Sequence, residues 1–185
     1  MARTSGLRDQ APEQRFRILY RAHYHQVYAY FKRRTDIESA KDGTVETFMV
    51  AWRRIDDVPE CDGALPWLYG VSRRTLANQR RGYRRATRLA ERLAGLGSES
   101  ESTPEAVIVR GSEIQEVLDG FDRLKPSDQE VLRLAEWEEL PHAEIASSLG
   151  CSRTAVDQRI HRALDRLEKE VNRARYAVLR RGGPS

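Results

Sequence analysis

Residues 140–162 read LPHAEIASSLGCSRTAVDQRIHR, and this stretch decides the fold. Pro141 opens a short helix in which Ile145, Ala146 and Leu149 recur at helical spacing and face inward. Gly150 follows, and glycine takes the left-handed position after a helix at least cost. Ser152 is placed to cap a second helix, whose inward positions are Val156, Ile160, Leu164 and Leu167. Arg153, Asp157, Gln158, His161 and Arg162 are left on its outer face. Two short helices joined by a tight glycine turn let the second lie in the major groove of DNA. The outer residue types fit that role: Arg pairs with guanine, Gln with adenine, and Asp accepts from the cytosine amino group. The plainer reading is a helical hairpin with a solvated polar face, but spacing, turn and residue types together favour a DNA-reading unit. Taken alone, His161 reads equally well as a solvated surface group, and Glu168 to Glu170 read as solvent-facing charge.

Before this unit, Ile114, Val117, Leu118, Phe121 and Leu124 form a helical face that ends at Lys125-Pro126. Ser127 with Glu130 forms a capping box for a helix that buries Val131, Leu132, Leu134 and Ala135. Thr103-Pro104-Glu105 reads as a cap with proline at the first helical position. The segment 95–103, GLGSESEST, buries too little apolar surface to repay ordering and reads as a linker.

Residues 67–88, WLYGVSRRTLANQRRGYRRATR, form a second chemical feature. Arg73, Arg74, Arg80, Arg81, Arg84, Arg85 and Arg88 stand there without one acidic residue, with Asn78 and Gln79 among them and Trp67, Tyr69 and Tyr83 nearby. Arginine neutralises phosphates, and interleaved amides and aromatics suit an unpaired base. A solvated basic helix, or one docking on an acidic protein, is the competing reading. Trp67 and Tyr69 individually read as core.

Towards the N-terminus, Phe16, Leu19, His23, Val27, Tyr30 and Phe31 mark one face of a helix starting near Pro12. Thr35 and Glu38 form a capping box for a second helix, whose apolar face carries Ile37, Ala40, Phe48, Ala51, Trp52 and Ile55. Gly43 interrupts it, at a propensity cost of about 1 kcal/mol. Residues 56–66, with Pro59, Gly63 and Pro66, read as a loop before a third helix that begins near Pro66 or Trp67. No strand-like alternation occurs, so the expected fold is all-α. It comprises two small helical domains joined by a flexible linker: a tail over 1–11, domains over 12–92 and 111–174, a linker over 93–110 and a tail over 175–185.

Composition narrows the function. Of 185 residues, 32 % are charged and 39 % hydrophobic, with a net charge of +4, which suits a soluble, helical, arginine-rich protein. Cys61 and Cys151 are far apart, and no metal or disulfide spacing occurs, so a cytoplasmic protein without metal or cofactor is expected. Met1 to Gln10 holds no apolar core of a secretory signal, and no apolar run reaches the ~20 residues needed to span a bilayer. There is no Gly-rich phosphate loop, and His23 and His25 point to different faces of their helix. An enzyme is therefore not expected.

Both halves together resemble the extracytoplasmic-function (ECF) sigma factors of the sigma-70 family. Region two is matched by Ala40-Lys41-Asp42, by residues 46–52 (ETFMVAW) and by Pro66-Trp67-Leu68-Tyr69 leading into the basic helix. Region four is matched by Leu124-Lys125-Pro126, Glu130-Val131-Leu132, Ala143-Glu144-Ile145-Ala146, Leu149-Gly150 and residues 159–163 (RIHRA). The resemblance implies that Asp42 and Glu46 bind core RNA polymerase. It implies that residues 56–65 and Arg73, Arg74, Asn78, Arg80 and Arg81 hold the opened minus-ten element of promoter DNA. It implies that Arg153, Asp157, Gln158, His161 and Arg162 read the minus-thirty-five element, and that an anti-sigma factor restrains the protein. Four positions depart from the family pattern. Gly43-Thr44-Val45 stands for a usual Leu-Val-Gln, and Val71-Ser72-Arg73-Arg74 for a motif usually ending in Ala-Arg-Asn. Asp157 stands where a basic residue is common, and Pro141 where Ser is usual. The alternative function is a helix-turn-helix regulator acting on DNA without polymerase.

Overall fold

The computed structural model describes the backbone of residues 11–94 and 112–181 and the side chains over 11–85 and 114–173. The expectations for the N-terminal tail, the linker and the Thr103-Pro104 cap lie outside the described residues. Within them, all regular structure is helical. The chain divides into two compact units, Met1–Glu105 and Ala106–Ser185.

The first unit is built from α1 (Pro12–Lys32), α2 (Ile37–Arg53) and α3 (Ala64–Ala94). Pro12 occupies the start of α1, where its missing N–H costs no hydrogen bond. Val27, Tyr30 and Phe31 are fully buried, and Tyr30 stacks on Tyr69 of α3 with ring centroids 5.3 Å apart. The cap of α2 is Asp36, not Thr35: its carboxylate accepts from the Ser39 N–H at 2.9 Å. The Thr35 N–H still donates to Phe31 O at the end of α1, so the new helix starts one residue later. The hydrogen bond from Ser39 holds the Asp36 carboxyl below the usual aspartate pKa.

Gly43 is a contact, not an interruption. A Cβ there would lie 2.4 Å from Cε1 of the buried Phe31, so only glycine lets α2 approach α1 this closely. The buried stripe of α2 is accordingly Ala40, Gly43, Thr44, Thr47, Phe48 and Ala51, mostly small side chains. Ile37 and Trp52, expected in the core, are 58 % and 43 % exposed because this narrow stripe leaves no room for them. Thr47 Oγ1 meets Ser72 Oγ of α3 at 3.4 Å, and the Ser72 hydroxyl donates to Leu68 O. A buried hydroxyl pair thus joins α2 to α3 where an apolar contact would be the simpler solution.

The α2–α3 connection tightens into 3₁₀ turns at Ile55–Asp57 and Cys61–Gly63. Helix α3 starts at Ala64, earlier than expected. Pro66 therefore falls in the first turn, where a missing N–H breaks no helical bond.

The second unit comprises α4 (Ser112–Asp122), α5 (Pro126–Leu132) with a π turn over Arg133–Trp137, α6 (His142–Leu149) and α7 (Arg153–Arg181). Phe121, Leu124, Val131, Leu134, Ile145, Val156 and Ala163 fill its core. Ile114 and Val117 are exposed, so α4 buries only its C-terminal half. The Ser127–Glu130 capping box does not form. Pro126 takes the first helical position, and the Gln129 amide instead donates to the carbonyls of Phe121, Asp122 and Leu124. Leu164, read as core, is 46 % exposed, with Ala163 buried in its place. Arg166 of α7 donates to the nearly buried Asp128 carboxylate at 2.5 Å, bracing α5 against α7. Helix α7 continues to Arg181, past the expected boundary at residue 174.

Candidate nucleic-acid interface

Helices α6 and α7 meet through a turn whose bonds follow from its sequence. Gly150 adopts φ 66°, ψ 43°, its N–H donates to Ser147 O, and the Cys151 N–H donates to Ala146 O. These two bonds form a Schellman closure, which satisfies the last carbonyls of α6. The Ser152 hydroxyl then accepts from the Ala155 N–H at 3.2 Å and caps α7, as its sequence position predicts. Val156, Ile160 and Ala163 anchor α7 in the core. With that face fixed, Arg153, Asp157, Gln158, His161 and Arg162 are all turned to solvent.

These outer side chains are not independent. Asp157 Oδ1 lies 2.5 Å from Nδ1 of His142, the first residue of α6. His161 Nδ1 is 3.3 Å from Asp165 Oδ2 one turn on, and an Arg162 N–H reaches Gln158 Oε1 at 3.5 Å. His142 carried no sequence signal, because nothing in the chain marks it as facing a residue on the next helix.

The first unit presents two further surfaces. On α3, the core side holds Leu68, Ser72, Thr75 and Leu76, and helical periodicity sends the arginines the other way. Arg74, Asn78, Arg80 and Arg81 are exposed, and Arg73 is half-buried. Arg81 donates to Asn78 Oδ1, and Arg80 donates to Arg34 O at 3.2 Å. Tyr69 is buried, as read, while Tyr83 is 57 % exposed. On α2, Asp42 and Glu46 are exposed one turn apart. Val45, Met49 and Trp52 are 59 %, 48 % and 43 % exposed beside them. Val45, Met49 and Trp52 recur at the four- and three-residue steps of a core face, so the sequence alone does not mark the strip as exposed.

The α2–α3 connection is held by Arg15. Its guanidinium is buried and donates to Asp56 Oδ1 at 2.8 Å and to Ile55 O at 2.7 Å. Beneath the connection lies an open cleft of about 200 Å³, lined by Ile18, His23, Val58, Pro59 and Cys61. Burial lowers the His23 pKa from its usual 6.5, opposed by a hydrogen bond with Gln26.

The family profile described as Sigma-70, region 4 matches residues 114–167. The RNA polymerase sigma factor YlaC of Bacillus subtilis is 31 % identical over 159 residues, covering 85 % of this chain and 92 % of that protein. The chain belongs to the RNA polymerase sigma factors. The ECF RNA polymerase sigma factor SigL of Mycobacterium tuberculosis is 28 % identical over 170 residues, covering 89 % of this chain and 92 % of SigL. Two solved structures share the fold. The Bartonella quintana sigma factor RpoE, crystallised with the anti-sigma factor NepR, superposes with TM-score 0.61 at 20 % identity, covering 85 % of this chain and 96 % of that one. CnrH, solved with the cytosolic domain of CnrY, gives TM-score 0.58 at 23 % identity, with 85 % and 87 % covered. A sigma factor gives core RNA polymerase its promoter specificity, and this is the function of the chain. Relatives that are sigma factors over most of its length set aside the reading as a regulator independent of polymerase. Among the described residues no helix is long and apolar enough to cross a membrane.

Proposed function

We propose that this sigma factor divides promoter recognition between its two units. Helix α7 reads the minus-thirty-five element as duplex through Arg153, Asp157, Gln158, His161 and Arg162, and its neighbours hold the phosphates on either side. The α2–α3 connection and Arg73, Arg74, Asn78, Arg80 and Arg81 hold the opened minus-ten strand, an association dominated by phosphate charge and stacking. Asp42 and Glu46, with the apolar strip Val45, Met49 and Trp52 between and beyond them, dock on core polymerase. The two proposed domains span 12–92 and 111–174, with a linker between.

The observation that carries this reading is the outward presentation of all five predicted base-facing side chains on a helix whose entry is fixed by the Gly150 turn and the Ser152 cap. The protein acts by binding alone and makes or breaks no covalent bond. Trapping the melted strand shifts the closed–open equilibrium by the difference in affinity for the two forms. It works in the cytoplasm, where the polymerase and the chromosome are. The Bartonella quintana sigma factor of similar fold was captured with an anti-sigma factor, and a restraining partner of that kind is proposed here as well.

Run-off transcription with purified core polymerase on genomic promoter fragments tests the reading. Promoter-specific stimulation over core enzyme alone is expected. Alanine at Arg153 and Gln158 should abolish discrimination among minus-thirty-five sequences while a promoter with only the minus-ten element stays active. Loss on both templates alike would remove α7 from base reading.

A further inference from the structure

The base-facing side of α7 carries one acidic side chain in its first two turns, Asp157. A lone carboxylate is an unfavourable group to bring to a phosphate-lined groove, because like charges repel across a low-dielectric gap. This one does not stand alone. Its Oδ1 is bonded to His142 Nδ1 at 2.5 Å, across two helices and 15 residues of chain. Since a carboxylate only accepts, His142 Nδ1 carries the proton of that bond.

Two consequences follow from the geometry. The backbones that carry the pair are fixed relative to each other by the Schellman closure at Gly150 and the cap at Ser152, so the bond fixes the direction of the carboxylate as well. One oxygen is occupied by the imidazole, and Oδ2 keeps its acceptor capacity. The imidazole N–H also brings positive dipole, or full charge when doubly protonated, beside the carboxylate and offsets its repulsion from phosphate. The two side chains are 44 % and 48 % exposed, so the pair is accessible from the solvent side where DNA would lie. The His161–Asp165 pair is a useful contrast: it lies along one helix, is longer, and its histidine is 78 % exposed, so it orients nothing across the turn.

We propose that His142 is a positioning residue for promoter recognition: by holding Asp157 it aims Oδ2 at an exocyclic amino group in the major groove, cytosine N4 or adenine N6, and so sets base preference at one step of the minus-thirty-five element. The proposal rests on the reading of α7 as the minus-thirty-five helix. His142 acts from the preceding helix and through Asp157. It also makes sense of an acid where a basic residue is common, because the imidazole N–H offsets part of the carboxylate's charge while Oδ2 still accepts.

The test uses full-length protein with core polymerase and a promoter pool randomised in the minus-thirty-five element, sequencing the transcripts. Compared are the wild type, His142→Ala, His142→Gln, Asp157→Ala, Arg153→Ala and the His142→Ala/Asp157→Ala double variant, with thermal unfolding of each as a control. Asp157→Ala is expected to lower the preference for a base with an exocyclic amino group at one position by about threefold to tenfold, the range of one typical net hydrogen bond. His142→Ala should shift preference at that same position, and the double variant should go no further than Asp157→Ala. His142→Gln, whose amide N–H can still donate to the carboxylate, should recover part of the preference. If Asp157→Ala changes preference and His142→Ala does not, the proposal is overturned while the reading of α7 stands. A uniform loss across the pool with a lowered unfolding temperature would make the pair a helix–helix staple and overturn the proposal. No change in preference from either Asp157→Ala or Arg153→Ala would overturn the reading of α7, and the proposal with it.

Discussion

Helices α3 and α7 both turn arginines outward, and they do it in opposite ways. From Ala64 to Ala90 α3 has no acidic residue, and among the described residues Arg73, Arg74, Arg80, Arg81, Arg84 and Arg85 meet no carboxylate. Their contacts are with an amide and with backbone carbonyls. On α7 the outer side chains are tied to one another and to the preceding helix through His142–Asp157, His161–Asp165 and Arg162–Gln158. Charge without fixed direction suits the backbone of a flexible single strand, whereas base edges in a duplex demand fixed directions. The aim of α3 is therefore set by the packing beneath it, and the aim of α7 by side-chain bonds on its surface.

That difference is broken most forcefully from below. Gly43→Ala places a methyl group 2.4 Å from the Phe31 ring, which is fully buried and has nowhere to go. A loss of about 1–3 kcal/mol is expected for the first unit, as for overpacked cores, read as a lower denaturation midpoint. Minus-ten opening should fall with it, while minus-thirty-five preference stays unchanged because α7 is in the other unit. Gly120→Ala makes the milder counterpart in the second unit, since its nearest neighbour is a Val171 methyl at 2.9 Å. An equal cost at both glycines would remove the distinction between a rigid ring and a side chain that yields.

The charge itself is the next target. Replacing Arg74 and Arg81 with alanine should reduce binding of a single-stranded minus-ten oligonucleotide by the polymerase holoenzyme uniformly across sequences. The slope of log affinity against log salt should fall by about 1.4, at about 0.7 per phosphate on a single strand. Asp157→Arg should do the reverse, altering minus-thirty-five preference with little effect on a minus-ten-only template. A change of sequence preference from the α3 variants would show that the strip reads bases rather than phosphates.

The same contrast separates what could be read in the sequence from what could not. The Gly150 turn and the Ser152 cap were legible because each depends on one local residue with a specific backbone preference. The five outer residues of α7 followed from helical periodicity, and the arginine strip from composition. Contacts between helices were not legible. Gly43 looks like a helix breaker until Phe31 is seen against it, Arg15 is one arginine among several until its reach to Asp56 and Ile55 is known, and His142 gains meaning only beside Asp157. Capping boxes failed at Thr35 and Ser127 for a related reason: a neighbouring Asp36 or Pro126 was better placed to begin the helix.

A smaller effect tests the wall of the cleft under the α2–α3 connection. His23 is half-buried there, and burial lowers its pKa below 6.5. The unfolded chain therefore binds this proton more readily than the folded one. Stability should fall as the pH drops below 6.5 and level off, for this group, below its folded pKa. His23→Gln should reduce the loss of stability between pH 7.5 and pH 5.5, measured by denaturant unfolding. Identical pH dependence in the two proteins would place its origin elsewhere.

The smallest expected effect has the opposite sign and bears most directly on α3. Gly82 lies between Arg81 and Arg84, and a Cβ added there would meet nothing within 4 Å. Alanine should stabilise the helix by about 0.4–1 kcal/mol, because an exposed mid-helix glycine gives up that much to backbone freedom in the unfolded chain. If the strip supplies charge without direction, a stiffer helix changes neither promoter opening nor salt dependence, and Gly82→Ala yields a more stable, equally active protein. If opening falls while stability rises, the arginines on either side of Gly82 need to move relative to each other as the strand is captured. The strip would then combine undirected charge with a hinge at Gly82, and the contrast with α7 would become one between a surface that adapts to its nucleic acid and one built to fit it.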